Sequence, residues 1–227
     1  MNPTVLLFDI DGTLVSTGGA GRRAIDQAFE REHGRADACA RIRFDGMTDR
    51  AILRLGLEAI AVEPTEPRID ALIAAYVQAL EEQVKVTPDQ RYVVHAGMRE
   101  AVQRAQGTGA ALGLGTGNVR EGARLKLERV GLWAPFGFGG FGDDHELRPE
   151  LIRIGAERGA AQLGVPRQQA RVVVIGDTPK DVAAALAIGA QCVAVATGAF
   201  SVEALATSGA TVAVPTIEQA MAFLFPR

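Results

Sequence analysis

Two aspartates, Asp9 and Asp11, follow an apolar run near the start of the chain, in the stretch "LLFDIDGTL" (6–14). In an extended strand, residues two apart point the same way, so both carboxylates would lie on one side of the strand end. Burying two unpaired carboxylates there would be costly. One explanation is a solvated Asp-Gly turn in which one aspartate caps the next helix. The other is a divalent cation that offsets the charge, with one aspartate free to act as a nucleophile.

Two more polar clusters follow apolar runs that we interpret as strands. One is "TGN" at 116–118, and the other is "GDTPKD" at 176–181. Alone, the first is typical of a turn, and the second is typical of a helix N-terminus with acids in its first turn. Ligands of open parallel sheets bind beyond the carboxyl ends of the strands. The three clusters together therefore indicate one site.

Helical patterns alternate with apolar runs over most of the chain. The runs are continuous rather than alternating, which is typical of parallel strands covered on both faces. Strands that alternate with helices predict a doubly wound, Rossmann-like α/β fold with a parallel sheet. The predicted strands span 4–10, 110–117, 170–177, 190–197 and, more weakly, 210–215, and the predicted helices span 97–109, 120–132, 149–164 and 179–190.

The segment 16–92 breaks this alternation. It contains three amphipathic patterns at helical spacing and no clear strand. We interpret it as a helical domain inserted after the first strand, with a glycine-rich hinge at 16–21. The predicted α/β core then consists of residues 1–15 and 93–227.

The composition argues against several classes of function. The 227 residues carry a formal net charge of −3 without a basic block, so nothing favours binding to nucleic acid or to an anionic membrane. The cysteines Cys39 and Cys192 form no disulfide framework or zinc motif, which favours a reducing compartment. The N-terminus lacks the basic region of a signal peptide, and no apolar stretch approaches the length of a membrane span. We therefore expect a cytoplasmic protein.

The motifs "DIDGTL", "GTGN" and "GDTPKD", in this order, resemble those of the haloacid dehalogenase superfamily, and within it the phosphatase branch. The resemblance spans nearly the whole chain. It implies that the helical insertion is a cap domain, and "DGMTDRAIL" (45–53) is similar to the cap of phosphoglycolate phosphatase-like members.

The resemblance assigns roles to four aspartates. Asp9 would attack phosphorus and form an aspartyl-phosphate, and Asp11 would act as general acid and then as general base. Asp177 would bind Mg²⁺ together with Asp9 and the main-chain carbonyl of Asp11. Asp181 would hold a metal-bound water or anchor the site, although a plain helix N-terminal acid is the competing interpretation.

The same resemblance implies that Thr116, Gly117 and Asn118 bind the phosphoryl oxygens of the substrate. Family members usually carry a lysine before the helix that leads into the "GD" strand. In this chain Arg148 has the nearest place, where it could supply charge or be a surface cation. Lys180 is the alternative cation. The sequence does not decide between the two.

The leading hypothesis is a Mg²⁺-dependent phosphatase, a monomer or small homo-oligomer, that hydrolyses a small phosphorylated metabolite resembling phosphoglycolate. A phosphomutase of the same superfamily and a catalytically weak phosphate-binding member remain open. A dehalogenase would need neither the acid at Asp11 nor a metal-binding Asp177. A phosphonate-cleaving relative would need a cap lysine, where the sequence offers only Lys85. A receiver domain would be shorter and would lack the insertion.

Substrate choice is expected to come from the insertion. Arg22, Arg23 and Arg50 could meet a second anionic group of the substrate, although a solvated helix face is the alternative for each. The glycine-rich stretch at 136–146 lacks the context of a nucleotide loop and is expected to be a mobile loop near the site.

Overall fold

A six-stranded parallel sheet forms the centre of the molecule and confirms the predicted doubly wound α/β fold. The computed structural model describes residues 3–226. The six strands lie in the order β5-β4-β1-β6-β7-β8, so that β1 has a parallel neighbour on each side. Numbered along the chain, the strands are β1 (Thr4–Phe8), β2 (Val15–Ser16), β3 (Val93–Val94), β4 (Ala111–Gly115), β5 (Phe138–Gly140), β6 (Arg171–Gly176), β7 (Gln191–Val195) and β8 (Val212–Val214).

Helices cover both faces of this sheet. Alternate residues of β1 point to opposite layers: Leu6 and Phe8 pack in one apolar cluster, and Val5 and Leu7 pack in another. None of the helices within residues 3–226 is long and apolar enough to cross a membrane. The helices are α1 (Ala20–His33), α2 (Asp49–Ala59), α3 (Glu66–Val86), α4 (Met98–Gln106), α5 (Arg120–Glu128), α6 (Arg148–Gln162), α7 (Pro179–Ala187), α8 (Val202–Thr207) and α9 (Met221–Leu224).

The stretch 136–146 is not a loop throughout, and this part of the sequence-based expectation is wrong. Residues 138–140 form β5, an edge strand that pairs with β4. Glycine-rich segments have little intrinsic strand preference, so the sequence does not indicate β5. The strand forms because Phe138 fills the space over Gly113, where an added Cβ would lie 2.4 Å from its ring.

The insertion forms its own apolar cluster from α1, α2 and α3, with Phe29, Leu53 and Leu72 fully buried. The chain leaves and re-enters the sheet region through β2 and β3, a short antiparallel ribbon that pairs Val15 with Val94. Two-residue strands are too short to predict from periodicity. The division into two domains at these crossings stays a prediction.

Candidate active site

The predicted polar clusters meet in one cavity of about 280 Å³ at the carboxyl end of the sheet. The cavity is lined on the sheet side by Asp9, Asp11, Thr116, Asn118 and Asp177. These residues follow β1, β4 and β6, which are adjacent and parallel. Adjacent parallel strands end at the same edge, and this is why residues more than 160 positions apart become neighbours.

Asp9 lies directly beyond β1 and is only 5 % exposed. Its backbone N–H donates to the carbonyl of Ile175 over 2.8 Å, which extends the pairing with β6 by one residue. Its Oδ2 lies 3.0 Å from the Arg148 guanidinium. Burial raises the pKa of Asp9 to about 6, and the positive charge of Arg148 opposes that rise. The carboxylate is thus held against one cation and largely out of water.

Asp177 lies in a cradle made by two glycines. A Cβ on Gly12 would lie 2.3 Å from Asp177 Oδ2, and a Cβ on Gly198 would lie 1.8 Å from it, so both positions require glycine. Gly12 also has a φ of 81°, in the left-handed region that favours glycine. The Thr13 hydroxyl donates to Asp177 Oδ1 over 3.0 Å. These contacts fix the carboxylate at the end of β6.

Asp9, Asp177 and Asp181 form a buried cluster in which one carboxylate oxygen of each lies within 4.8 Å of the others. Burial, followed by the charges of Asp181 and Asp9, raises the pKa of Asp177 to about 8. A divalent cation bound to oxygen ligands would offset this repulsion. The donor set therefore fits a divalent cation with a preference for oxygen ligands. Carboxylate oxygens of Asp9 and Asp177 would hold such an ion.

Asp181 is occupied by hydrogen bonds within the protein. Its Oδ1 accepts from Arg148 Nε and Nη2, over 2.9 and 2.5 Å. Its Oδ2 accepts from the backbone N–H and the hydroxyl of Thr178, which caps α7 in a capping box. Because both of its oxygens already accept hydrogen bonds, we infer that Asp181 anchors Arg148 and the start of α7 rather than binding a metal directly.

The structure brings Arg148, and not Lys180, into contact with Asp9. Arg148 begins α6 and is 7 % exposed, with its guanidinium between Asp9 and Asp181. Burial lowers the pKa of Arg148, but the two carboxylates outweigh burial and raise it above its ordinary value. Lys180 is exposed, and its stem lies under Gly46 of the insertion.

Asp11 faces a different set of partners from Asp9. Its Oδ2 accepts from Asn118 Nδ2 over 2.9 Å and from the Lys126 ammonium over 2.6 Å. The same Asn118 amide donates to Thr116 Oγ1 over 2.8 Å. The Asp11 side chain is 44 % exposed. Asp11 therefore reaches into the open part of the cavity, whereas Asp9 is enclosed. The two carboxylates of the "DID" motif are therefore in contrasting environments.

The insertion contacts the 116–119 loop directly. The backbone N–H of Asp49 donates to the carbonyl of Gly117 over 2.9 Å, and its Oδ2 accepts from the N–H of Val119 over 2.8 Å. Thr48 Oγ1 donates to the carbonyl of Glu146 over 3.0 Å, and Arg54 forms an ion pair with the Glu146 carboxylate. The start of α2 thereby forms part of the cavity wall.

Two residues of the cavity wall, Lys126 and Asp49, were missed by the sequence analysis. Lys126 lies on the stripe of α5 that contains the buried residues Ala123 and Leu127, and a lysine on an apolar stripe is a signal that a helical wheel reveals. Asp49 follows Thr48, the N-cap of α2, and its sequence context is that of an ordinary first-turn acid. Asp49 is buried because it docks against Val119, which lies 70 residues further along the chain. A local sequence pattern cannot indicate such a contact.

The three insertion arginines considered for substrate recognition, Arg22, Arg23 and Arg50, are bound to protein groups. Arg22 lines the cavity, but its guanidinium donates to the carbonyls of Cys39 and Ile42 and stacks on Phe44 at 3.6 Å. Arg23 and Arg50 also have partners within the protein. Those of Arg23 are Gln83, Thr87 and the carbonyl of Gly18, and those of Arg50 are Glu66 and Asp70.

Residues 6–195 of the chain match the family of haloacid dehalogenase-like hydrolases. Probable phosphatase IndB of Dickeya dadantii (strain 3937) is 26 % identical over 231 residues, which cover 96 % of this chain and 92 % of that protein. A hydrolase from Pseudomonas syringae has a similar structure, with a TM-score of 0.70, 21 % identity and coverage of 97 % of both chains. A predicted phosphoglycolate phosphatase from Haemophilus somnus 129pt has a TM-score of 0.68 at 15 % identity and covers 99 % of both chains. These two structures share the fold.

Proposed function

Because this chain belongs to the haloacid dehalogenase-like hydrolases, we propose that it is a Mg²⁺-dependent phosphatase that forms an aspartyl-phosphate on Asp9. The observation that carries the proposal is the pair of carboxylates in one cavity with different partners. Asp9 is enclosed against Arg148 in the three-acid cluster, and Asp11 reaches the cavity beside Asn118. This difference in surroundings supports a nucleophilic role for Asp9 and a proton-transfer role for Asp11.

In the proposed first step, an oxygen of Asp9 attacks phosphorus while the bond from phosphorus to the leaving oxygen breaks. Asp11 donates a proton to that leaving oxygen, and the alcohol departs. In the second step, water attacks the acyl phosphate and gives a proton to Asp11. Inorganic phosphate is released, and Asp9 is regenerated as a carboxylate.

Negative charge on the phosphoryl oxygens must be stabilised during both steps. Arg148 contacts Asp9 in the cavity, and Thr116 and Gly117 also line it. A bound Mg²⁺ would supply further positive charge to the nucleophile and to the phosphoryl group. We propose that Thr116, Gly117 and Asn118 bind the phosphoryl oxygens, as the family resemblance implies; Asn118 also donates a hydrogen bond to Asp11.

The experiment that tests the proposal measures phosphate release from a panel of small phosphomonoesters that includes phosphoglycolate and an uncharged alkyl phosphate. We expect release with Mg²⁺ and its loss with EDTA, restored by excess Mg²⁺. Equal release in EDTA would contradict the metal requirement. A sugar phosphate that is isomerised without phosphate release would identify a phosphomutase instead.

A further inference from the structure

Lys126 is a buried lysine on a helix that otherwise contributes apolar residues to the core. It is 3 % exposed. A buried ammonium loses its hydration, and this loss is tolerated only where carboxylate or carbonyl partners replace the water. No motif of the sequence assigns a role to Lys126, and neither of the two proposed chemical steps uses it. Its partners therefore indicate what it does.

The Lys126 ammonium binds two polar groups of the cavity wall, Asp11 and Asn118. It lies 2.6 Å from Asp11 Oδ2 and 2.5 Å from Asn118 Oδ1. Asn118 in turn donates to Asp11 Oδ2 over 2.9 Å. The three side chains form a closed triangle, so Lys126 acts on Asp11 both directly and through Asn118.

The surrounding backbone holds Lys126 in this position. The Tyr92 hydroxyl donates to the Lys126 carbonyl over 2.9 Å and ties α5 to the end of the insertion. Gly21 of α1 faces the ammonium, and an added Cβ there would lie 3.4 Å from Nζ. That distance is an ordinary van der Waals contact, so α1 of the insertion packs directly against the buried Lys126 side chain.

Both contacts fall on the same oxygen of Asp11. Lys126 and Asn118 donate to Oδ2, which leaves Oδ1 for the proton that the proposed step passes to the leaving oxygen. In a neutral carboxylic acid, the carbonyl oxygen accepts hydrogen bonds and the other oxygen holds the proton. The triangle thus selects which oxygen of Asp11 faces the substrate.

We propose that Lys126 is a positioning residue that fixes the Asp11 carboxyl group for proton transfer to the leaving group. The proposal rests on the phosphatase function proposed above. Lys126 is not placed as the cation of the nucleophile, because Arg148 contacts Asp9. Its effect should therefore depend on how much help the leaving group needs, whereas a cation that binds phosphate would affect every ester alike.

The test compares kcat/KM for two esters in the holoenzyme with Mg²⁺. p-Nitrophenyl phosphate has a good leaving group that needs little protonation, and an alkyl phosphate has a poor one. kcat/KM reports the steps up to the first irreversible one, here formation of the aspartyl-phosphate, so the later role of Asp11 as base does not enter.

For Lys126→Met, we expect the alkyl ester to lose about 10²-fold in kcat/KM, since general acid catalysis contributes about 10² to 10⁴. The aryl ester should lose less than about fivefold. Lys126→Gln keeps N–H donors for Asp11 and Asn118 without the charge, and it should retain more alkyl-ester activity than Lys126→Met. Arg124→Met is the matched control, because Arg124 lies on the same helix and pairs with Glu121 and Glu128 outside the cavity.

A double-mutant cycle with Asp11→Asn makes the test specific. If Lys126 acts through Asp11, the double variant Asp11→Asn/Lys126→Met should be no slower on the alkyl ester than Asp11→Asn alone. Equal losses on the two esters, or losses that multiply in the double variant, would overturn the proposal. If Asp11→Asn lowers kcat/KM equally for the two esters, the assignment of Asp11 as general acid is wrong. If the wild type hydrolyses neither ester, the proposed function fails and this inference fails with it.

Discussion

The cations of the sheet region and those of the helical insertion are used in different ways. Arg148 and Lys126 extend from α6 and α5 to the carboxylates of the cavity, Asp9 and Asp11. Arg22, by contrast, lines the same cavity while donating to two backbone carbonyls of the insertion. In this cavity, cations of the sheet region thus lie against carboxylates, whereas the Arg22 guanidinium is bound to a loop of the insertion.

The lining of the cavity shows the same contrast. The sheet side presents carboxylates, a hydroxyl and an amide. The insertion side includes several apolar side chains, with Asp49 turned away toward the backbone of Val119. We infer that the reaction chemistry depends on the sheet edge and that the insertion selects substrates mainly by shape. The apolar and aromatic residues on the insertion side are Ile25, Phe44, Met47, Ile52 and Tyr76.

The largest effect is expected at the centre of the sheet edge. Asp9→Asn removes the nucleophile, and we expect kcat to fall about 10⁵-fold, the order seen when an enzyme loses its nucleophile. The fold should persist, because the buried carboxyl group already has a raised pKa and asparagine occupies the same volume. Steady-state phosphate release measures the first effect and thermal unfolding measures the second. Substantial turnover by a stable variant, checked by mass spectrometry for deamidation, would exclude Asp9 as nucleophile.

The next largest effect decides between Arg148 and Lys180 as the cation that acts beside Asp9. Arg148→Met should lower kcat/KM by about 10²- to 10³-fold, as expected for the loss of a donor that stabilises transition-state charge. It should also lower the melting temperature, because Asp9 and Asp181 would lose their shared partner. Lys180→Met should change kcat/KM by less than about threefold, since an exposed charge contributes little. The reverse ranking would move the role to Lys180.

Much of the sheet edge could be predicted from the sequence, because each strand is a continuous apolar run and each chemical residue follows directly after one. Asp9 and Asp177 were located in this way. β5 could not be predicted, because its glycines have no strand preference of their own and form a strand only by pairing with β4. Lys126 could not be assigned, because its partners lie 8 and 115 residues away along the chain. The insertion was recognised as helical, but the positions at which it contacts the 116–119 loop depend on tertiary docking.

A smaller effect concerns stability and pH. Burial and the neighbouring acids raise the pKa of Asp177 to about 8, above the ordinary value of 3.8. Between these two pH values the native protein without metal binds more protons than the unfolded chain, so this group makes stability fall as pH rises. Other groups add their own pH dependence, so the comparison with Asp177→Asn isolates this one.

We expect the melting temperature of Asp177→Asn, measured in EDTA, to exceed that of the wild type by several degrees at pH 8 and by little at pH 4. Added Mg²⁺ should stabilise the wild type at pH 8 and leave Asp177→Asn nearly unchanged, because a ligand that binds only the native state stabilises it. A difference between the two proteins that stays constant from pH 4 to pH 8 would contradict the raised pKa. Equal stabilisation of both by Mg²⁺ would remove Asp177 from the metal site.

The smallest effect tests the insertion side of the comparison. Because the Arg22 guanidinium is already bound to the carbonyls of Cys39 and Ile42, we do not expect it to recognise a carboxylate of the substrate. Arg22→Gln should therefore change the ratio of kcat/KM for phosphoglycolate and for an uncharged alkyl phosphate by less than about threefold, even if both values fall together because the loop loosens. A single interaction with a charged group contributes about 1.5–3 kcal/mol, so a true carboxylate contact would shift this ratio by more than tenfold. A loss of this size in kcat/KM for phosphoglycolate alone would show that the insertion recognises the charge of the substrate as well as its shape.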